Sequence, residues 1–335
     1  MRPLRVAQIG CSESTHARQI FSSLLRQKEL FEMVAFADVD FHLKERSPCY
    51  DAVPERTPEE ILNDTTLDAV FIECDEVLAT RYAIAAAERD LPLFMDKPGS
   101  PSHEDFERLI DLIEEKSLPF SMGYMYRTNP AVLQLLEEIK SGKLGEIYSI
   151  EAQMNCWHKD FRREFFNTLP GGMLYYLGCH LLDLIYQIQG EPLEVLPLSC
   201  KVEPHKPFGE DFGMAVLRYP HGVSFAKAVS VEVGGYMRRQ LVVHGTKGSV
   251  EIHPLEILAE NDGVSCKTRR CYLEDPDNTG WSYDGIREDF PVFNRYDATT
   301  ANFAAYVRGE KKNPYTPAYE RKLHQLILKA CGGME

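Results

Sequence analysis

The chain has 335 residues, 44% of them hydrophobic and 26% charged, with a formal charge of −14. That length exceeds one ordinary core and predicts two domains, while the charge works against nucleic acid or an anionic membrane surface as a partner. Small molecules are the expected ligands. The nine cysteines are scattered and form no C-x-x-C pair, so neither a disulfide framework nor a metal site is predicted. No apolar run approaches the roughly 20 residues of a membrane span, and the first residues lack a signal-peptide core. The expected location is the cytoplasm.

Leu4 to Gly10 reads as a short apolar strand closed by glycine, followed by the polar turn Cys11-Ser12-Glu13-Ser14-Thr15. From His16 to Leu25, Ile20, Phe21, Leu24 and Leu25 fall at helical spacing. Strand, turn and helix open a dinucleotide-binding unit, in which backbone N–H groups at the turn hold a pyrophosphate. Of the fingerprint G-x-G-x-x-G only Gly10 stands, with Ser12 and Thr15 at the later glycine positions. Hydroxyls there can donate to a phosphate but lack the conformational freedom of glycine. Gly10, Ser12, Glu13 and Ser14 are the cofactor-binding residues expected in this turn. A second strand, Met33 to Ala37, ends at Asp38, where a carboxylate is the usual partner of an adenosine ribose diol. With Asp40 two residues on and no arginine adjacent, a 2′-phosphate would be repelled, so NAD is favoured over NADP. Asp38 as a mere cap on the next turn is the competing reading.

Thr57-Pro58-Glu59-Glu60 is a helix start with threonine as cap. A strand from Leu67 to Glu73, a helix from Asp75 to Glu88 and a strand from Leu93 to Met95 follow. Next come a helix from His103 to Glu115 behind Ser102, and a strand from Pro119 to Gly123. Single helices between strands with short connections imply right-handed crossovers and a parallel sheet, a Rossmann domain over residues 1–123. Pro98 forces the chain out of the ladder after Asp96 and Lys97, which delivers Lys97 to the carboxyl edge where ligands collect. A lysine simply solvated at a strand end is the plainer alternative.

Residues 124–335 read as a second, α+β domain with a large, mainly antiparallel, open-faced sheet. Its strands are Ile147 to Cys156, Val195 to Val202, Phe212 to Tyr219, Val223 to Val233 and Arg239 to Gly245, with Pro220-His221-Gly222 as a hairpin turn. Ser224, Ala226, Ala228 and Ser230 make one face of the fourth strand small, which lets another layer approach closely. A helix over 173–185 would set Tyr176 and His180 one turn apart on a shared face, with Asp183 in reach of the imidazole. Their burial in an ordinary helix interface is the alternative. Phe161 to Pro170, carrying Arg162 and Arg163, is expected to be a lid, Leu255 to Phe293 is irregular, and a last helix over 320–330 should pack through Leu323, Leu326 and Ile327.

Asp96-Lys97-Pro98, Met125-Tyr126-Arg127-Thr128-Asn129-Pro130, Gly142-Lys143-Leu144-Gly145-Glu146-Ile147, Gly171-Gly172, Gly178-x-His180-x-x-Asp183 and Gly245-Thr246-Lys247-Gly248-Ser249 occur in that order. Together they resemble the Gfo/Idh/MocA oxidoreductase family. The resemblance implies an N-terminal domain that binds NAD(P) and a substrate held against a C-terminal sheet. It also implies hydride transfer between nicotinamide and a carbinol carbon of a polyol, inositol, sugar or related molecule, in a homodimer or homotetramer joined through that sheet.

By the same resemblance Lys97 should contact both a substrate hydroxyl and the nicotinamide ribose, and His180 should sit beside the reacting hydroxyl. Tyr176 stands where the family has aspartate, and Asp96 where it has glutamate. Cys74-Asp75-Glu76-Val77-Leu78-Ala79 replaces a family T-P-N-x-x-H in a loop that borders the cofactor. Cys74, Asp75, Val77, Asp96 and Lys97 thereby join the cofactor set. Arg127, Asn155 and Trp157 join Lys97, Tyr176 and His180 in the substrate set. Alcohol oxidation needs one base and one positive charge for the developing alkoxide. His180, with an ordinary value of about 6.5, suits the first task and Lys97 the second, while Tyr176, which starts near about 10, joins them in the catalytic set, where contact with Lys97 would lower its pKa. A relative that has lost catalysis and serves as a sensor or regulatory subunit is the competing function: the missing glycines and Tyr176 favour it, whereas Lys97 and His180 favour an enzyme.

Overall fold

The computed structural model describes residues 1–11, 15–40 and 47–334. The chain forms two compact units: Met1–Met125 with Tyr296–His324, and Tyr126–Arg295 with Gln325–Glu335. Where the sequence suggested a single cut near Gly123, the first unit takes back a later segment.

The first unit alternates strands and helices in the expected rhythm. Its strands are β1 (Leu4–Ile9), β2 (Phe31–Ala37), β3 (Ala69–Ile72), β4 (Leu93–Met95) and β5 (Phe120–Met122). Between them run α1 (Ala17–Arg26), α2 (Pro58–Leu62), α3 (Glu76–Glu88) and α4 (His103–Lys116). All strand pairs are parallel, in the order β2-β1-β3-β4-β5. Every residue of β3, β4 and β5 is buried, as two-sided cover requires of such a sheet. The anticipated caps are present: Thr57 and Glu60 form a reciprocal capping box, and Ser102 accepts from the Asp105 N–H. The strand order reverses between β1 and β3, and in sheets of this kind the carboxyl ends flanking that reversal form the ligand crevice.

In the second unit, α5 (Pro130–Lys140) leads to β6 (Ile147–Gln153), α6 (Asp160–Phe165) and α7 (Cys179–Gln189). Then follow β7 (Glu194–Pro197), β8 (Phe212–Tyr219), β9 (Gly222–Val229), β10 (Gln240–Gly245), β11 (Gly248–Ile252), β12 (Ile257–Leu258) and β13 (Gly263–Ser265). The series ends with β14 (Lys267–Tyr272), β15 (Ile286–Asp289) and β16 (Phe293–Asn294). Eight of these make one sheet in the order β15-β14-β11-β10-β6-β9-β8-β7, antiparallel throughout except for β6 against β9. Residues of β6 and β9 alternate, so Ile150, Ala152, Ser224, Ala226 and Ala228 are buried while Val223 is exposed on the other face, and a register shift at Tyr148 turns that exposed ring out to stack on His244. The small side chains lie on the side where α7 packs on both strands.

Three expectations are corrected. The strand predicted to continue to Val202 is regular only to Pro197, beyond which the Leu198 and Cys200 N–H groups still donate to the Met214 and Phe212 carbonyls at 2.7 and 2.8 Å. The strand predicted to Val233 is regular to Val229, and beyond it the Ser230 N–H donates to the Asp211 carbonyl at 2.8 Å while Val231 forms an isolated bridge with Trp157. The span thought irregular, Leu255 to Phe293, contributes β14 and β15 to the large sheet and a small sheet of β12, β13 and β16. Its strands are too short or too charged to show apolar alternation.

Tyr296–His324 supplies α8 (Asp297–Val307) to the first unit. Phe303 packs edge-on against Phe71 and Phe94 on the sheet, at 5.4 and 5.7 Å between ring centres. Ser23 and Arg26 of α1 bond Asp297 at 2.6 and 2.8 Å. The last helix, α9 (Pro317–Ala330), belongs to the first unit as far as His324, and its Leu323, Leu326 and Ile327 are buried as anticipated.

Candidate functional site

Gly10 ends β1 at φ +107°, and a Cβ there would come within 2.3 Å of the Cys74 nitrogen at the end of β3. The turn therefore admits only glycine at this point. Asp38 follows β2 and is half-buried. Ser12, Glu13 and Ser14, the residues expected to meet the pyrophosphate, lie outside the described residues. Gly10, the start of α1 and the Asp38 carboxylate lie at the carboxyl ends of β1 and β2, where a Rossmann domain could hold a dinucleotide.

Acids crowd the same edge. Asp40 is buried and bridges two loops, accepting from the Cys11 N–H at 2.9 Å and the Asp75 N–H at 2.6 Å. Burial pushes its carboxyl up to about 7 against the pull of those donors. Asp75 opens α3 as its N-cap residue and is buried, Val77 is exposed, and burial raises the Cys74 thiol well above its ordinary range. A thiol so held remains protonated and is no nucleophile.

Lys97 is not solvated: it is only 2% exposed, and its Nζ lies 3.3 Å from Glu76 Oε1. Asp96 accepts from the Lys97 backbone N–H at 2.8 Å and meets His16 Nδ1 at 3.0 Å. Burial works to raise the Asp96 carboxyl, but the charge and hydrogen bond of His16, followed by Lys97, hold it below its usual range. Glu73, which ends β3, is fully buried, and neither carboxyl oxygen has a hydrogen-bond partner among the described residues. Burial and then the charge of Asp96 push it well above the ordinary range, with Lys97 opposing.

In the second unit, the helix expected over 173–185 is divided: Leu174–Gly178 is a π turn, and only from Cys179 is it an α-helix. The wider turn removes the simple one-turn spacing between Tyr176 and His180. Tyr176 packs against Phe166 and His158, at 5.4 and 6.1 Å. His180 is buried, with Tyr126 edge-on at 5.5 Å. Asp183, expected to orient the imidazole, is gripped by Arg127, whose Nη2 and Nε lie 2.8 and 3.1 Å from its two oxygens, and by Gln187 at 2.9 Å. Arg127 thus ties the segment before α5 to the helix that carries His180.

Asn155 is buried after β6, and its Oδ1 has no partner among the described residues. Trp157 is 58% exposed. Burial, then Arg162 and Arg239, push the His158 imidazole down to about 4, so it is neutral in ordinary buffers. The segment expected to be a lid is a short helix anchored from beneath: Arg163 is buried and its Nη2 reaches Asp211 at 2.6 Å and Glu203 at 2.7 Å. Sequence reading missed a charged cluster in which Glu256 accepts from Arg239 and Arg295, both at 2.5 Å, and from the Tyr126 hydroxyl at 2.9 Å. Burial pushes the Glu256 carboxyl up, but the two guanidinium groups bring it below its usual range.

Comparison with known proteins agrees with both halves. Residues 4–124 match the model of an oxidoreductase family with an NAD-binding Rossmann fold, and residues 132–251 that of the GFO/IDH/MocA C-terminal domain. The chain belongs to the GFO/IDH/MocA family of oxidoreductases, and its first unit is an NAD(P)-binding Rossmann domain. The uncharacterized oxidoreductase YhhX of Escherichia coli (strain K12) is 27% identical over 255 residues, covering 73% of this chain and 70% of that protein. Levoglucosan dehydrogenase of Pseudarthrobacter phenanthrenivorans is 26% identical over 199 residues, covering 57% of this chain and 50% of that protein. A 3-ketoreductase from Actinomadura kijaniata in complex with NADP and TDP-benzene shares the fold, with a TM-score of 0.80 at 17% identity over 100% of this chain and 98% of that one. Among the described residues no helix is long and apolar enough to cross a membrane, and no group of His, Cys, Asp and Glu could hold a metal ion.

The raised Glu73 carboxyl has a thermodynamic consequence. The native state keeps a proton that the unfolded chain releases above about pH 4.3, so this residue's contribution is intact below that point and is lost as pH rises toward the raised native value. Glu73→Gln, which cannot ionise, is therefore expected to gain stability relative to the parent between about pH 5 and about pH 8. Urea unfolding at both ends of that range measures it, and an equal difference at the two pH values contradicts the assignment.

Proposed function

We propose that the chain is an NAD-dependent dehydrogenase acting on a carbinol carbon of a sugar, polyol or related hydroxylated molecule. The observation that carries this reading is the placement of Lys97: a buried ammonium, fixed by a rigid strand at the carboxyl edge beside the β1/β3 reversal. Nicotinamide supplies the hydride chemistry when bound. Lys97 donates to the reacting oxygen and stabilises the charge that develops there, and His180 takes the hydroxyl proton. Tyr176, beside His158 and Phe166, shapes the substrate's surroundings, and the buried Asn155 Oδ1 accepts from a further hydroxyl. Arg127 acts through Asp183 by fixing α7.

Asp38 and Asp40, both at the end of β2, support NAD over NADP, since a 2′-phosphate would approach two carboxyl groups. Among the described residues the cysteines form no disulfide, which suits a reducing cytoplasm. The exposed apolar residues Tyr148 and Val223 of the large sheet support a homodimer or homotetramer. Static light scattering on the purified chain checks this, and a monomeric mass contradicts it.

Catalysis is tested with levoglucosan and D-xylose as first substrates. NAD at a hundredfold excess over its Kd should stabilise the chain by about 2.7 kcal/mol, and NADP at the same concentration by less. Lys97→Ala should lower kcat by about a hundredfold or more with folding intact, and His180→Ala by a similar factor. Unchanged turnover in Lys97→Ala removes that residue from the reaction.

A further inference from the structure

Lys97 lies among more carboxyl groups than one ammonium can neutralise. Glu76 Oε1 is 3.3 Å from its Nζ, and both side chains are 1% exposed. Glu76 Oε2 is buried with no hydrogen-bond partner among the described residues. The pair joins two elements that are distant in sequence, the first turn of α3 and the end of β4. A flexible four-carbon stem has several rotamers, and a buried carboxylate selects one of them. An oxygen left unbonded in the interior costs about 1–3 kcal/mol, a cost proteins retain mainly at functional sites.

We propose that Glu76 is the positioning residue of Lys97: its carboxylate fixes the ammonium before a ligand arrives, and protonation of that carboxylate loosens the hold. The inference rests on the reading that Lys97 serves the reaction. The charged neighbours are Asp75 beside Glu76 on α3, Asp96 next to Lys97 on the β4 edge and Glu73 at the end of β3. His16, at the start of α1, faces Asp96, and Asp40, after β2, faces Glu73. Asp96 is already matched by His16 and by the Lys97 backbone, and burial and then the charge of Asp96 push Glu73 well above its ordinary range. Glu76 is the carboxyl group in direct contact with the ammonium, and burial first, with Lys97 opposing, pushes it up to about 7, whereas Asp40, also pushed up to about 7, faces Glu73.

The test needs no substrate. With lysine side chains labelled with nitrogen-15, the Lys97 Nζ resonance is followed in the full chain from about pH 5 to about pH 9. The expected result is an inflection near pH 7 in the parent that vanishes in Glu76→Gln and reappears in Glu76→Asp. An inflection that persists in Glu76→Gln, or none in the parent, overturns the proposal. Turnover separates this inference from the reading beneath it. Glu76→Gln should lower kcat about tenfold, while the double variant with Lys97→Ala should be no slower than Lys97→Ala alone. If Lys97→Ala alone turns over normally, the dehydrogenase reading of that residue fails even where the resonance behaves as described.

Discussion

A single buried ammonium among carboxyl groups sets the character of the Rossmann unit's edge. Removing Lys97 from water is costly, and the structure offsets that cost with Glu76 directly and with Asp96 nearby. Their charges cannot all persist together in so little solvent. The result is a graded set: Asp96 held below its usual range beside His16, Glu73 pushed well above it, and Glu76 and Asp40 pushed up to about 7. This solution differs from that of a solvated strand-end lysine, because the ammonium is paired with a carboxyl group away from water. The edge is thereby preorganised, which is the main source of electrostatic catalysis.

The second unit meets a similar problem with the charges reversed. Glu256 is held by two guanidinium groups and a phenol, so Tyr126, Arg239 and Arg295 are tied to one point although they lie far apart along the chain. Tyr126 in turn presents its ring to His180, while Arg127, the next residue, grips Asp183 on the same helix. Two neighbouring residues therefore fix the imidazole's helix by different means, one by ring packing and one by a bidentate ion pair. The π turn at Leu174–Gly178 belongs to this local design, since extra residues in a helix commonly re-aim a side chain at a functional site.

Much of the framework was legible because it depends on local patterns. Thr57 and Ser102 predicted helix starts through cap chemistry, and Leu93–Met95 predicted a buried strand through its unbroken apolar run. The β8–β9 hairpin followed from Pro220-His221-Gly222. What failed depended on partners remote in sequence. Nothing near Arg163 announces Asp211, and nothing near Glu256 announces Arg239, Arg295 and Tyr126, so a lid was expected in one place and a featureless loop in the other. Spacing put Tyr176 and His180 one turn apart, but a π turn leaves the apolar pattern of Leu174, Leu177 and Leu181 almost unchanged and cannot be read from it. For the candidate site, residue types were visible at the strand ends, whereas the burial of Lys97 and its pairing with Glu76 emerge only when α3 and β4 are set side by side.

The central claim is that the carboxyl edge of the first unit receives a dinucleotide and presents it to an ammonium already in place. Diffraction from crystals of the chain grown with NAD tests it most directly. The account predicts adenosine ribose on Asp38 and nicotinamide ribose within hydrogen-bonding distance of the Lys97 Nζ. A dinucleotide bound elsewhere, or one bound here with Lys97 out of reach of it, would contradict the account.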